Sequence, residues 1–215
     1  MRSEDLHEYS PTNVAHFFEM TKYNSDYAFI SKDDDAEGFP FLKLDSISSA
    51  RFEQTDSLAT GYSPLIFRNG HEALYARRGI KEKMSDVLFE GATFIVRDAI
   101  REALMPLELP GVHFQPAVYI DGGGGRHEDY WYVTILRHIN CVDHAKSTLT
   151  PPRKLDGKFT VLTCSLDATV LDAIALHERR LFRMGGTADG LVVCHCSLFE
   201  HFRHDGVLLD MIEDY

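Results

Sequence analysis

Residues Leu191–Gly206 read LVVCHCSLFEHFRHDG. Cys194, His195, Cys196, His201 and His204 crowd this stretch, so it is either a metal-binding knuckle or a strand and helix built from ligand-type residues. Structural zinc needs four ligands converging on one point, usually with two cysteines spaced C-x-x-C so that a tight turn aims both sulfurs inward. Here the spacing is C-x-C. In an extended strand Cys194 and Cys196 share a face and His195 points to the other. On a helix His201 and His204 are three apart and also share a face. A metal-binding or enzymatic site made of Cys194, Cys196, His201 and His204 is therefore the alternative reading. Without metal every position still has a structural task. LVVC is a strand, and SLFE is a capping box in which Ser197 and Glu200 satisfy first-turn donors. Leu198 and Phe202 anchor one helical face, and Gly206 ends the helix. The second reading uses every residue, so a strand–cap–helix–glycine unit without metal or other cofactor is expected.

The same unit is echoed upstream. FIVRDAIREAL (Phe94–Leu104) aligns with VVCHCSLFEHF (Val192–Phe202), which places Ile100 over Leu198 and Leu104 over Phe202, with Gly111 and Gly206 following. A true duplication and two uses of a common unit are both open. Asp98 is placed to cap the upstream helix, whose face is Ile100, Ala103, Leu104 and Leu107. The segments ATFIV, VHFQPAVYI, YWYVTILRHI and KFTVLTCSL read as strands from their β-branched and aromatic content. DATVLDAIALHE reads as an amphipathic helix capped by Asp167, and RLFRM and LVVC flank a glycine-rich hairpin turn. Residues 63–90 read as loop and short helix. The expectation is an α+β fold, a mixed and mainly antiparallel sheet with helices packed on one side. An acidic N-terminal part, 1–80, and a second part, 81–215, meet at a soft boundary without a linker, so the two can form one continuous domain.

Hydrophobic residues make up 44% of the 215, enough for a sizeable core. Lys plus Arg number 22 and Asp plus Glu 33, giving a net charge of −11. Such a chain repels phosphate backbones, which argues against nucleic-acid binding and favours a basic partner. The densest acidic run is SKDDDAEGFP, with Asp33, Asp34, Asp35 and Glu37. It reads as a solvated loop or as a contact surface for a cationic partner. Four cysteines without disulfide-framework spacing fit a reducing compartment. The N-terminus has acids where a signal peptide needs bases, and no apolar run approaches a membrane span. A cytoplasmic protein is expected, with no membrane contact; a homodimer is compatible with the sequence. The run Gly122–Gly125 lacks the Lys-Ser/Thr of a phosphate loop and reads as a hairpin tip. No nucleophile elbow or H-E-x-x-H occurs, so an enzyme is not expected.

The most distinctive stretch is YWYVTILRHINCVDHAKS (Tyr130–Ser147). It combines an aromatic pair, an apolar strand, Asn140, Val142, Asp143 and Ser147. Alternation puts Trp131 and Val133 on one face of the strand and Tyr130, Tyr132 and Thr134 on the other. Asn140 and Asp143 suit the turn that ends it. This pattern resembles the central signature of a family of bacterial immunity proteins encoded beside secreted toxins of polymorphic and type VI systems. Over about residues 84–206 the flanking segments are similar too, and residues 1–80 stand outside the resemblance. The family commonly has a serine where this chain has Cys194–Cys196. The resemblance implies a protein that binds and neutralises one cognate toxin. The charge adds that the toxin is basic, as a nuclease effector must be, and that Asp33, Asp34, Asp35 and Glu37, then Glu128 and Asp129, are the first candidates for contact.

Overall fold

The computed structural model describes residues 22–46, 48–49, 63–150, 157–188 and 190–215. In chain order the strands are β1 (Tyr27–Lys32), β2 (Leu42–Leu44), β3 (Leu65–Asn69), β4 (Val87–Glu90), β5 (Thr93–Arg97), β6 (Val112–Ile120) and β7 (Arg126–Ile135). They continue with β8 (His138–Ile139), β9 (Thr148–Thr150), β10 (Thr160–Thr163), β11 (Leu181–Met184), β12 (Val192–His195) and β13 (Val207–Met211). The α-helices are α1 (Glu72–Arg78), α2 (Asp98–Leu104), α3 (Ala168–Asp172) and α4 (Phe199–Phe202). The fold is α+β with mostly antiparallel pairing, as expected. The strands divide between two large sheets, ordered β2-β3-β6-β7-β5-β4 and β13-β1-β12-β11-β8, with β9 and β10 as a short ribbon.

β7 shows why the first sheet folds as it does. Tyr130 and Tyr132 point into one apolar cluster, and Trp131, Val133 and Ile135 point into another. The cluster under the tyrosines takes residues from all six strands of the sheet, among them Leu42, Phe67, Leu88, Ile95 and Tyr119. Phe41 bridges to Phe89, and the Glu90 carboxylate accepts the Leu44 N–H. The sheet therefore bends until β2 meets β4, and two edges that would otherwise invite foreign strands cover each other. The cluster on the other face lies between the two sheets and holds α2 and α4 through Ile100, Leu104, Leu198 and Phe202. A third cluster covers the outer face of the five-stranded sheet with Cys141, Cys164, Leu166 and Leu171. Burial pushes both of these thiols up to about 12.

The echo in the sequence is a structural repeat. β4-β5-α2-β6 with β7 matches β11-β12-α4-β13 with β1. In the first unit β5 and β6 both pair antiparallel with β7, and in the second β12 and β13 both pair antiparallel with β1. The registers coincide. Trp131 lies between Val96 and Pro116, and Ala28 lies between Cys194 and Met211. The connecting bonds coincide as well. Arg97 N–H donates to the Asp86 carbonyl at 2.9 Å, as His195 N–H does to Arg180 at 2.8 Å. Val112 N–H donates to Leu109 at 3.1 Å, as Val207 N–H does to His204 at 3.1 Å. Gly111 and Gly206 turn these corners with φ of 78° and 80°, a region in which a Cβ is unfavourable.

Several local readings change. Ser197 and Glu200 do not form a capping box. The 3-10 turn Cys196–Leu198 begins earlier, and the N-cap is His195, whose Nδ1 accepts the Ser197 N–H at 3.1 Å. Glu200 instead pairs with Arg203. Asp98 is the first helical residue rather than the cap, and its carboxylate takes the Trp131 indole N–H. The α2 helix gives way at Met105 to a 3-10 turn containing Pro106, which supplies no N–H for a further α-turn. α3 stops at Asp172, although Asp167 caps it as read, taking the Thr169 and Val170 N–H groups. The run YWYVTILRHI is two strands, because the chain leaves the first sheet after Ile135 and joins the second at His138. Residues 65–69, read as loop, form β3 beside β6.

Candidate functional site

The Cys/His stretch does not converge on a point. Cys194 is buried in the cluster between the sheets, and burial pushes its thiol well above the ordinary range. Cys196 is exposed, with Sγ 3.8 Å from the His195 ring nitrogens. His204 Nδ1 turns to Asp86 at 3.2 Å. Among the described residues no group of three or more His, Cys, Asp or Glu side chains could hold a metal ion. The alternative site made of Cys194, Cys196, His201 and His204 is overturned. A strand alternates its faces only while it remains extended, and here the chain starts to coil at Cys196.

The Asp33–Glu37 loop follows β1 and lies against the corner after α4. Asp33 N–H donates to the Gly206 carbonyl at 3.0 Å, and its carboxylate accepts the Asp35 N–H at 3.0 Å. Asp34, Asp35 and Glu37 are exposed, and Lys32 partners Asp34 at 3.4 Å. The phenyl ring of Phe39 packs on Gly206, where an added Cβ would meet it at 2.6 Å. From that corner a line of contacts runs to β7. The Asp205 carbonyl accepts the Ser85 hydroxyl at 2.6 Å. Asp86 Oδ2 lies 3.2 Å from His204 Nδ1 and Asp86 Oδ1 3.1 Å from Arg97 Nε, and Arg97 also pairs with Asp129. The Arg97 guanidinium lies over the Tyr130 ring, 4.7 Å from its centre. The loop acids and Asp129 thus stand at two ends of one run of contacts containing Asp86 and Asp205. Lys81 and Lys83 lie against Gly38 and Phe39 at the end of the loop, so the edge is acidic with basic interruptions.

Glu128 is exposed and pairs with Arg126 at 3.2 Å, beside the glycine tip. The tip is built around Asp121, whose carboxylate accepts from Gly123 N, Gly125 N and the His127 imidazole at 2.9, 2.8 and 2.9 Å. The His127 bond and these N–H groups hold the Asp121 carboxyl below its ordinary value. The tip is a hairpin turn, as read. Ser147 and Asp143 also serve the fold. Ser147 Oγ accepts the Ser165 N–H at 2.9 Å, and Asp143 accepts the Ala145 N–H at 3.0 Å.

A model of an immunity protein family, Imm11, matches residues 52–202. The chain belongs to the Imm11 immunity protein family. No curated protein matches it. Membership in Imm11 implies a cognate toxin as partner and its neutralisation as function, without an enzymatic role. The match starts at residue 52, earlier than the resemblance near 84, so β3 and α1 lie within the Imm11 region. No helix among the described residues is long and apolar enough to cross a membrane. Sequence reasoning missed one feature of the Imm11 surface. Trp131 is half-exposed, its indole N–H is held by Asp98, and the Arg101 guanidinium stacks 3.9 Å from its ring centre. The only available signal was a lone tryptophan within an apolar strand, which reads equally well as core.

Proposed function

We propose that this protein neutralises a basic toxin, acting in the cytoplasm and docking through the acidic edge that runs from Asp33, Asp34, Asp35 and Glu37 to Glu128 and Asp129. The observation that carries this reading is the combination of Imm11 membership with a net charge of −11. A nuclease effector is the toxin class proposed, because a protein that grips nucleic acid must carry positive charge. An acidic inhibitor matches that charge and gains association rate by steering. A type VI or other polymorphic toxin system is the proposed setting.

The test is co-expression with the product of the adjacent toxin gene, scored by growth and by co-purification. Rescue and a stable complex are expected; toxicity unrelieved and no complex would end the reading. Reversing Asp33, Asp34 and Asp35 to Lys should slow association and flatten its salt dependence, while dissociation changes less. Association kinetics equal to those of the parent protein would remove that loop from the interface.

A further inference from the structure

A shallow apolar depression of about 340 Å³ opens where α2 passes into the 3-10 turn and β6. All of its lining comes from one stretch, Leu104 to Phe114. Leu109, Val112 and Phe114 are half-exposed there, and Met105 is 55% exposed. Glu108 is the one charged residue in the lining. Resting on the Imm11 reading, we propose that this depression receives an apolar side chain of the cognate toxin, flanked by a lysine or arginine that meets Glu108.

Two observations support that occupant. First, Glu108 has φ of 47°, the only positive φ at a non-glycine among the described residues. A side chain makes this conformation unfavourable, and glycine would adopt it freely. The backbone strain coincides with a carboxylate at the rim of an apolar hollow, as expected of a clamp for a ligand. Second, the rim charge is acidic. Glu102 is exposed on α2 and Glu108 beside it. The nearby bases have partners of their own, Arg101 over Trp131, Arg180 at the Leu107 carbonyl and Arg137, which packs on Gly111, at Glu178. A basic residue next to the apolar anchor is therefore complementary.

Trp131 on β7 shares a face with Phe114 and Val112 on β6, so one partner can span the indole and the depression. The experiment measures binding of the adjacent toxin, made catalytically inactive, to the full-length protein and to Met105→Asp and Glu108→Gly. Met105→Asp should weaken affinity roughly 30-fold, the loss of one apolar anchor, mostly through faster dissociation. Glu108→Gly should raise the unfolding midpoint yet weaken binding and reduce its salt dependence. A purely structural role for Glu108 predicts the first effect without the others. Tight parental binding with both variants unchanged overturns the depression and leaves the immunity reading intact, whereas no parental binding ends both. A concentration-dependent dimer that Met105→Asp abolishes would assign the hollow to a second copy and overturn the proposal.

Discussion

Phe202→Ala tests the central packing most directly. Phe202 is fully buried between the sheets, and its ring stands edge-on to Phe94 with centroids 5.9 Å apart. Truncating such a ring removes its transfer energy and leaves a cavity, a loss of about 3–5 kcal/mol, and the aromatic pair places the value in the upper part of that range. For a chain of this size the midpoint temperature should fall by about 6–20 °C. Urea unfolding should show a lower midpoint with an unchanged slope, since the exposed area is the same. The repeat makes a sharper demand. Leu104 occupies the equivalent place on α2 and belongs to the same cluster, so Leu104→Ala and Phe202→Ala should couple by about 0.5–3 kcal/mol. Leu171 is equally buried but lies in the cluster on the outer face. Leu171→Ala with Phe202→Ala should be additive to within about 0.3–0.5 kcal/mol. A Phe202→Ala loss below about 1 kcal/mol, or equal coupling to Leu104 and Leu171, would refute the division of the core.

Two further outcomes follow from the second unit. Burial pulls the His195 imidazole below its ordinary 6.5, and as N-cap its Nδ1 must stay unprotonated. Below pH 6.5 the unfolded chain binds a proton that the folded one resists, so stability should fall as pH drops from 6.5 towards the lower folded value. His195→Asn keeps a capping acceptor and should flatten the slope, with a remainder from His138, which burial also pulls down; an unaltered slope in unfolding free energy against pH would be inconsistent with this. A thiol reagent should label Cys196 rapidly in the native protein and Cys141, Cys164 and Cys194 only on unfolding, because three of the four thiols are buried. A second fast-reacting thiol would contradict the packing.

Much of the fold could be read from the sequence wherever a strand is long and alternates, as at Tyr130–Ile135. There both faces are apolar because each meets a different cluster. Reading failed where tertiary contacts outweigh local pattern. Leu65–Asn69 has five residues between Pro64 and Gly70, too few to show a period, and is held as a strand by β6 and β2. α2 and α4 proved shorter than their apolar faces suggested, since packing between two sheets rather than propensity holds them. The cap at His195 was hidden because imidazole is not among the residues that usually cap. The repeat was half visible. Asp129-Tyr130-Trp131-Tyr132-Val133 parallels Asp26-Tyr27-Ala28-Phe29-Ile30, yet the strand that follows its unit in the first copy precedes it in the second. A comparison in linear order cannot bring that pair into line.

The repeat also separates what the scaffold requires from what it does not. Where the two units must pack alike they carry similar residues: Tyr130 and Tyr27, Ile100 and Leu198, Leu104 and Phe202, Gly111 and Gly206. They diverge at one face. Ala28 and Phe199 of the second unit are buried in the central cluster, while their counterparts Trp131 and Arg101 stack at the surface. Cys196 stands where Asp98 holds the indole, and His195 packs on Tyr27 where Arg97 reaches Asp86 and Asp129. Since one backbone accommodates both sets, packing does not require the charged and aromatic one. A half-exposed tryptophan held by an aspartate and an arginine is the rigid amphipathic kind of group from which tight interfaces are built. Its place on the face of the hollow beside Glu108 is why we propose the first unit, rather than its twin, as the face for the toxin.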